Sequence, residues 1–474
     1  MRKRWGVVAL VAGASLMVGS TAAFAGAAFD FGVFRDRQLS KLSPALFGVE
    51  RPLPASSAKQ VTQAEALADP TVLATLAKGL HARVVTTQGP AIYDQISLWP
   101  DDAHPSYLIV CNESDTTDEP GLLRIKLSTG EVSTIVSGTI ACDPTRRTPW
   151  GTIVFGEEDG TSGRIYELID PLNTTGVTLD RDTGVFSGGT GAANLATRRA
   201  LGRASFEGLG ILGDGTTYLD PDDDDFGPVN GEPGDPYFKF VPDHPFHGHT
   251  PITSLSQSPY ASGQVYGLRI GLTSSYGQGR EFGFGKWIAL PSAPDGDLEN
   301  EGRAAGLTGY YRPEDADLDP IALRLGNVRL CSSDTGDEEN HLYGQIVCFT
   351  DGTVAGAEAN TAQPELQPFV FGGTSQGINM PDNVAFQPHT GNLVVHEDAE
   401  TTFETPHNND LWSCLPDGAD QDLLSDGCAR IATLNDLTAE WTGGIFDATG
   451  THFYVSVQHN ISGKATILDI TGWQ

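Results

Sequence analysis

The chain has 474 residues, 39% of them hydrophobic and 19% charged, and its 61 acidic against 29 basic side chains give a net charge of −32. The hydrophobic share supports a large buried core and excludes a disordered chain, and 56 glycines with 29 prolines favour short strands joined by tight turns. Because so acidic a surface repels phosphate groups at long range, we expect neither a nucleic acid nor a membrane as partner.

The N-terminus has the pattern of an export signal. Three basic residues, 2–4, precede an apolar run over 7–18, and the Ala-Phe-Ala sequence at 23–25 fits a signal-peptidase site. The pattern predicts a signal peptide over residues 1–25, cleaved near Ala25, and a secreted or periplasmic product. No later segment approaches the ~20 apolar residues that a membrane-spanning helix needs.

Residues 26–100 are expected to form an N-terminal extension. A helical pattern runs over 63–83, and Pro70 should divide it into two pieces because proline lacks the amide hydrogen that a helix interior requires. From about residue 84 the pattern changes to short strands punctuated by Gly, Asp and Pro, and residues 101–474 are expected to form one β domain.

A repeated pair of strand types organises that domain. The first type ends in polar or acidic residues and occurs at 107–114, 151–158, 216–223, 328–334, 392–398 and 453–459. The second type ends in a turn and occurs at 121–130, 163–171, 236–243, 344–352, 410–418 and 465–472. A further strand precedes most pairs, clearest at 206–215, 380–391 and 442–450.

Six repeats of three or four strands predict an all-β fold, a six-bladed β-propeller with long inter-blade insertions and a short N-terminal helical segment. A large β-sandwich is the alternative. In a propeller, equivalent ends of the innermost strands gather around one mouth of the central channel, so polar residues at those ends converge from distant parts of the sequence.

Charged residues occupy corresponding places at the starts of three such strands: Glu207, Glu314 and Asp382. Arg312 precedes Glu314 by two residues, so both side chains should point to the same side of an extended segment. A metal-binding carboxylate beside an anion-binding guanidinium is the pairing that phosphoryl transfer needs, although an ordinary Arg–Glu ion pair has the same pattern.

The six cysteines suggest disulfides in an exported protein. Cys331 and Cys348 flank one short acidic loop and Cys414 and Cys428 flank another, so each pair is expected to form a local bridge. The remaining two, at 111 and 142, either pair with each other or include a working thiolate.

Two other polar clusters are less informative. The acidic run at 220–225 lacks the glycine and the final glutamate of an EF-hand, so a solvated loop is the favoured interpretation. His244, His247 and His249 have metal-like spacing but lie in a Pro- and Gly-rich loop, where we do not expect a zinc site.

The segment 142–158, CDPTRRTPWGTIVFGEE, resembles the Cys…Thr-Pro-Trp-Gly-Thr…Glu-Glu segment of secreted PhoX-type alkaline phosphatases. Further matches follow in the family's order, at 201–211, 311–319, 332–337, 380–386, 396–399 and 442–459. The resemblance implies a propeller phosphatase that hydrolyses phosphate monoesters of small molecules with Ca²⁺ and Fe³⁺, and we expect it to be a monomer.

By position, the resemblance also implies roles for individual residues. Arg312 would hold the substrate phosphate and Cys142 would be an iron-ligating thiolate. The remaining metal ligands would be carboxylates, namely Glu113, Glu158, Glu207, Glu314 and Asp382. Two alternatives stay open: a calcium-dependent lactonase or esterase on the same propeller, and a non-catalytic propeller binding module.

Overall fold

A computed structural model describes residues 37–222, 234–271, 281–290, 294–336, 342–373, 377–399, 407–418 and 422–474. The predicted signal peptide lies outside these ranges. Within them, no helix combines the length and the apolar composition that crossing a membrane would require.

The described helices are short: α1 (Ser43–Phe47), α2 (Gln63–Ala68), α3 (Leu298–Ala305), α4 (Pro320–Arg324) and α5 (Val354–Glu358). Thr62 and Glu65 form a reciprocal capping box that begins α2. The helix ends at Ala68, with Asp69 as its C-cap immediately before Pro70, and a single 3₁₀ turn follows.

The helix prediction over 63–83 is therefore correct for its first third only. Beyond the proline the chain is extended, because its backbone pairs with the C-terminal half of the sequence. Tertiary pairing overrides the local helical pattern in this segment.

The strands form five sheets, and within each sheet neighbouring strands pair in the order stated. The first contains β11 (Val185–Ser187), β10 (Val177–Asp180), β6 (Val132–Ser137), β5 (Pro120–Lys126), β4 (Tyr107–Asn112) and β3 (Tyr93–Trp99). The second contains β12 (Leu195–Thr197), β9 (Ile165–Leu168), β8 (Ile153–Glu157) and β7 (Cys142–Arg147). The third contains β13 (Phe206–Ile211), β14 (Thr217–Pro221), β15 (Phe238–Pro242), β16 (Gly263–Ile270), β17 (Gly283–Ala289), β21 (Glu365–Phe371), β20 (Gln345–Thr353), β19 (Asn327–Asp334) and β18 (Pro313–Leu318). The fourth contains β1 (Ala74–Leu76), β25 (Cys428–Leu434), β24 (Asp410–Cys414), β23 (Leu393–Glu397) and β22 (Pro381–Phe386). The fifth contains β2 (His81–Thr86), β28 (Ile467–Thr471), β27 (His452–Gln458) and β26 (Glu440–Phe446).

Six edge strands close a ring at the centre of the molecule, and we call them the inner strands: β3, β7, β13, β18, β22 and β26. Each lies beside the next in chain order, and β26 lies beside β3. Strand β2 pairs with β28, so an N-terminal strand completes the sheet of the C-terminal strands. The fold is therefore all-β and propeller-like.

Two details differ from the sequence-based expectation. The third sheet holds nine strands, because β17 and β21 pair over two residues and join what would otherwise be two separate sheets. Residues 81–86 and 93–99, which we placed in the N-terminal extension, are strands of the fifth and first sheets.

Apolar side chains from facing sheets form the core. Between the first two sheets, for example, Ile109, Leu122, Ile153 and Phe155 are fully buried in one cluster. The disulfides Cys331–Cys348 and Cys414–Cys428 each join directly opposed residues of paired strands, which confirms both predicted local bridges.

Candidate metal centre

Every inner strand meets its partner strand in the same register. Its first residue lies opposite the partner's last residue, and a β-bulge follows within the next few positions. In five of the six inner strands the second residue is acidic: Asp94, Asp143, Glu207, Glu314 and Asp382. The ring therefore carries a circle of carboxylates at the end where the inner strands begin.

The partner strands supply a second set of acids. The residue immediately after the partner strand is acidic in four units: Glu113, Glu158, Asp222 and Asp398. In the sixth unit Trp441 takes the second position of the inner strand, and the acid, Glu440, stands one residue earlier. The first or second residue of each inner strand thus brings an acid to the same end of the ring.

Two groups of these carboxylates could each hold a cation. Glu207, Glu314 and Asp382 offer oxygen atoms that all lie within 4.8 Å of one another, and so do Asp94, Glu113 and Asp143. The first group brings together three residues singled out in the sequence. The second contains Glu113 and adds two acids that the sequence did not single out.

The electrostatics of both groups favour a bound cation. Burial is the largest cause, and repulsion from neighbouring carboxylates adds to it, so the pKa values of Glu207, Glu314 and Asp382 lie well above the usual range. Burial likewise raises the pKa of Glu113 to about 7. A divalent cation would reverse this penalty by favouring the ionised form.

Hydrogen bonds orient some of these oxygens and leave another without a partner. The Asn383 amide donates to Glu207 Oε1 at 3.2 Å, and the Thr335 hydroxyl donates to Glu314 Oε2. Asp94 Oδ1 is buried with no hydrogen-bond partner among the described residues. An all-oxygen donor set with an unpaired buried oxygen fits a hard cation such as Ca²⁺.

Arg312 contacts both sets of acids, those on the inner strands and those that follow the partner strands. Its Nη2 lies 2.6 Å from Glu314 Oε1 and 3.1 Å from Asp222 Oδ2. The backbone φ of Arg312 is +51°, an uncommon conformation for a non-glycine residue that turns its side chain toward the carboxylates. About a quarter of the side chain, 27%, remains exposed.

The contact with Asp222 corrects the expectation for the acidic run at 220–225. Asp220 and Asp222 are buried, not solvated, because β14 carries the first into the interior and Arg312 pairs with the second. Residues 223–225 lie outside the described ranges.

Cys142 does not supply a thiolate. It forms a disulfide with Cys111, and both residues are fully buried in the apolar cluster between the first two sheets. Sulfur in a disulfide carries no negative charge to donate to iron, so the prediction of Cys142 as a metal ligand is wrong for this structure. The next residue, Asp143, offers its carboxylate to the second group instead.

Glu158 lies near the centre but joins neither group of three. Burial is the largest cause that raises its pKa, with repulsion from Glu113 and Asp222 next, and the positive charge of Arg312 acts in the opposite direction. The ionisation of Glu158 therefore depends on the charges of the same centre.

A third group of potential ligands consists of Glu397 at the end of β23, Asp410 at the start of β24, and His407, which precedes β24. The Glu397 carboxylate accepts hydrogen bonds from the Asp410 amide and the Trp412 indole. Arg430 Nε lies 2.5 Å from Asp410 Oδ2. Because these contacts engage oxygens of both carboxylates, we interpret the group as structural. His244, His247 and His249 are exposed and form no such group in the described part of the chain.

Several acids of the centre were missed in the sequence. Asp94 lies on a strand that we placed in the N-terminal extension, and Asp143 was overlooked beside Cys142. A search for an acid at the second position of every inner strand finds both only once β3 and β7 are recognised as inner strands. Asp222, Asp398 and Glu440 depend on the register between strands, which the sequence alone does not give.

The propeller-like fold brings a ring of convergent carboxylates, which could hold cations, next to an arginine, which could bind an anion. The family model described as alkaline phosphatase PhoX matches residues 190–460. The chain belongs to this family, whose name places it among hydrolases of phosphate esters.

A solved structure agrees with the fold. PhoX of Pseudomonas fluorescens, in complex with vanadate as a transition-state analogue, superposes with a TM-score of 0.63 at 16% identity, covering 88% of this chain and 98% of that one. A gluconolactonase of Xanthomonas campestris is a weaker match, with a TM-score of 0.41 at 12% identity over 89% of this chain and 98% of that one. No curated protein matches the sequence.

Proposed function

We propose that the protein is an exported, metal-dependent phosphatase that hydrolyses phosphate monoesters of small molecules at the carboxylate ring. The observation that carries this proposal is the pair of carboxylate groups, Glu207–Glu314–Asp382 and Asp94–Glu113–Asp143, beside the guanidinium of Arg312. Family membership supports phosphate-ester hydrolysis, and the geometry supports where it would take place.

Calcium is the cation that this donor set favours, because all the ligands offered are carboxylate oxygens. Ferric iron also binds oxygen, but the thiolate that the family resemblance implied is in a disulfide. We therefore propose Ca²⁺ in both groups and keep Fe³⁺ as a prediction for elemental analysis.

In the proposed reaction the chain's own residues bind and orient the substrate. Arg312 would donate two hydrogen bonds to phosphate oxygens in place of its present contacts with Asp222 and Glu314. Bound cations would neutralise the phosphate charge and activate an oxygen nucleophile. The carboxylates hold them, and Asn383 keeps Glu207 oriented toward them.

We also propose that the architecture is a six-bladed propeller. The nine-stranded sheet would then be two blades, β13–β17 and β18–β21, joined where β17 and β21 meet at their outer edges. Six inner strands with the same register and the same bulge support this division.

The three disulfides are consistent with export to an oxidising compartment, and we propose the N-terminal segment 1–25 as the signal. The protein would act as a monomer outside the cytoplasm, with a small phosphoester as its partner and no nucleic acid or membrane.

The decisive experiment is elemental analysis of protein purified without a metal-affinity tag, followed by turnover of an aryl phosphate at alkaline pH. We expect bound calcium and phosphate release, and loss of both after chelation. Absence of metal and of turnover after reconstitution with calcium and iron contradicts the proposal. Turnover of a lactone or carboxylic ester without phosphatase activity supports the esterase alternative, and metal binding without turnover of any ester supports a binding module.

A further inference from the structure

A layer of polar side chains lies one step deeper in the ring than the carboxylates. Gln95, Asp315 and Asn383 follow the acids of β3, β18 and β22 by one residue, and Arg146 reaches the same level from β7. We call these four residues the polar floor. Gln95 and Asn383 are fully buried, and Asp315 is nearly so.

Arg146 spans this floor. Its Nη1 lies 2.5 Å from Gln95 Oε1 on one neighbouring inner strand, and its Nη2 lies 2.5 Å from Asp315 Oδ1 on β18, two strands away in the other direction. Asp315 in turn accepts a hydrogen bond from the Val384 amide at 3.1 Å. One guanidinium therefore ties together the strands that carry both carboxylate groups.

Gln95 links Arg146 to the carboxylate groups through hydrogen bonds. Because its oxygen accepts from Arg146, its amide nitrogen is left facing Asp143, to which it donates at 3.2 Å. The same nitrogen donates to the backbone oxygen of Glu207 at 3.0 Å. One ligand of each carboxylate group thus depends on the orientation of a single amide, which Arg146 sets.

We propose that Arg146 is a positioning residue that holds the two carboxylate groups in their cation-binding arrangement through Gln95 and Asp315. The proposal rests on the function proposed above only in assigning cation binding to these groups. The proposal goes beyond that function by assigning a role to the guanidinium of Arg146, which is neither a proposed substrate-binding group nor a proposed metal ligand.

A positioning role and a purely electrostatic role predict changes of calcium affinity in opposite directions when Arg146 is replaced. If Arg146 mattered only as a positive charge near the cation sites, its removal would tighten calcium binding by relieving repulsion. If it fixes the ligands, its removal weakens binding, and loss of a group that orients metal ligands typically costs 10–100-fold in affinity. If it only supported the fold, stability would fall and calcium affinity would not change.

The experiment measures calcium affinity by isothermal titration calorimetry on the chelator-treated protein, well below its melting temperature. The variants are Arg146→Met, Arg146→Lys and Gln95→Leu, the last of which breaks the link while retaining the charge. Arg147→Met is the matched control, because the neighbouring Arg147 pairs with Asp102 and contacts none of the floor residues in the described structure.

We expect the calcium Kd to rise about 10–100-fold in Arg146→Met and Gln95→Leu, to recover partly in Arg146→Lys, and to stay unchanged in Arg147→Met. Unchanged or tighter binding in Gln95→Leu overturns the proposal, and this variant remains decisive if Arg146→Met does not fold. A wild-type protein that binds no calcium overturns it as well. A protein that binds calcium with this pattern but hydrolyses no phosphate ester upholds the role of Arg146 and refutes the phosphatase proposal.

Discussion

Arg312 Nη2 and Glu314 Oε1 lie 2.6 Å apart, so the two side chains meet as their spacing predicted, although the backbone at Arg312 is left-handed and not extended. The same guanidinium also contacts Asp222 from a distant part of the sequence. Without added cations, Arg312 is thus the positive charge nearest these two acids. In the proposed function, one side chain would therefore couple cation binding to substrate binding.

Replacing Arg312 with Ala should reduce kcat/KM for an aryl phosphate by at least about 10²-fold, because a charge-assisted contact made to a developing phosphate charge contributes on the order of 3 kcal/mol. Arg312→Lys should recover part of the loss, since lysine keeps the charge but not the two-pronged geometry. Steady-state kinetics at saturating calcium measures the effect.

Arg324→Ala is the control for that experiment, since Arg324 contacts only a backbone oxygen at the surface among the described residues. Phosphatase activity that survives in Arg312→Ala at the wild-type level contradicts the assigned role. Loss of phosphatase activity with retained ester hydrolysis would indicate a second activity that does not use the guanidinium.

Because Cys111 and Cys142 form one disulfide, we expect serine substitutions at the two positions to have the same effect. Cys111→Ser and Cys142→Ser should each lower the free energy of unfolding by about 3–4 kcal/mol, the value expected for opening a loop of 31 residues. Metal content should be the same in the two variants. Denaturant unfolding and elemental analysis measure both quantities.

An asymmetric result would favour a different chemistry. If Cys142→Ser lost a metal ion that Cys111→Ser retained, Cys142 would act as a thiolate ligand, as the family resemblance implied. Thiol titration of the wild-type protein under denaturing, non-reducing conditions gives an independent answer, and we expect no reactive thiol.

Alternation and turn residues made much of the strand pattern predictable. All twelve predicted paired strands correspond to strands in the structure, because buried β-branched runs bounded by Gly, Asp and Pro are a local signal. Two inner strands, β3 and β7, were not predicted as strands. They carry polar residues such as Gln95 and Arg146 that face the ring, so their hydrophobic pattern is weak.

The candidate site was predictable only where a residue's position in the repeat was visible. Glu207, Glu314 and Asp382 were found because their strands were recognised. Asp222 and Arg146 act through partners about 90 and 169 residues away in sequence, and such pairings depend on how the ring closes. The state of Cys142 depended on whether β4 and β7 lie side by side, which periodicity does not reveal.

Gly443 offers a test of the backbone beside the carboxylates. Its φ is +61°, and a Cβ at this position would lie 2.3 Å from the backbone oxygen of Asp94. Gly443→Ala should therefore displace β3, destabilise the protein by several kcal/mol and weaken calcium binding at the Asp94 group. Thermal unfolding with and without calcium measures both effects.

Gly463→Ala is the matched control, because Gly463 has a φ of +66° but no atom within 4 Å of the added methyl group. This variant should lose only about 1 kcal/mol, the cost of the left-handed backbone, with calcium affinity unchanged. Equal effects of the two substitutions would contradict the close approach between Gly443 and Asp94.

Asp334 provides a pH-dependent prediction at a carboxylate that is not itself a proposed metal ligand. Burial raises its carboxyl pKa to about 7, although hydrogen bonds from Tyr237, at 2.5 Å, and Gln345 act in the opposite direction. A carboxyl whose pKa is higher in the folded than in the unfolded state makes its full contribution to the free energy of unfolding at pH values below the unfolded pKa. That contribution is lost as the pH rises from about 4 to about 7. Asp334→Asn removes this titration, and the Gln345 amide can rotate to accept from the new amide.

The free energy of unfolding of Asp334→Asn relative to wild type should therefore rise with pH between about 4 and 7, by up to about 4 kcal/mol, and level off above pH 7. Urea unfolding at half-unit pH intervals in chelator measures the difference. Asp182→Asn, at an exposed surface turn, controls for the change in net charge. A difference between Asp334→Asn and wild type that stays constant across this pH range would show that Asp334 ionises in the folded protein as easily as in the unfolded chain.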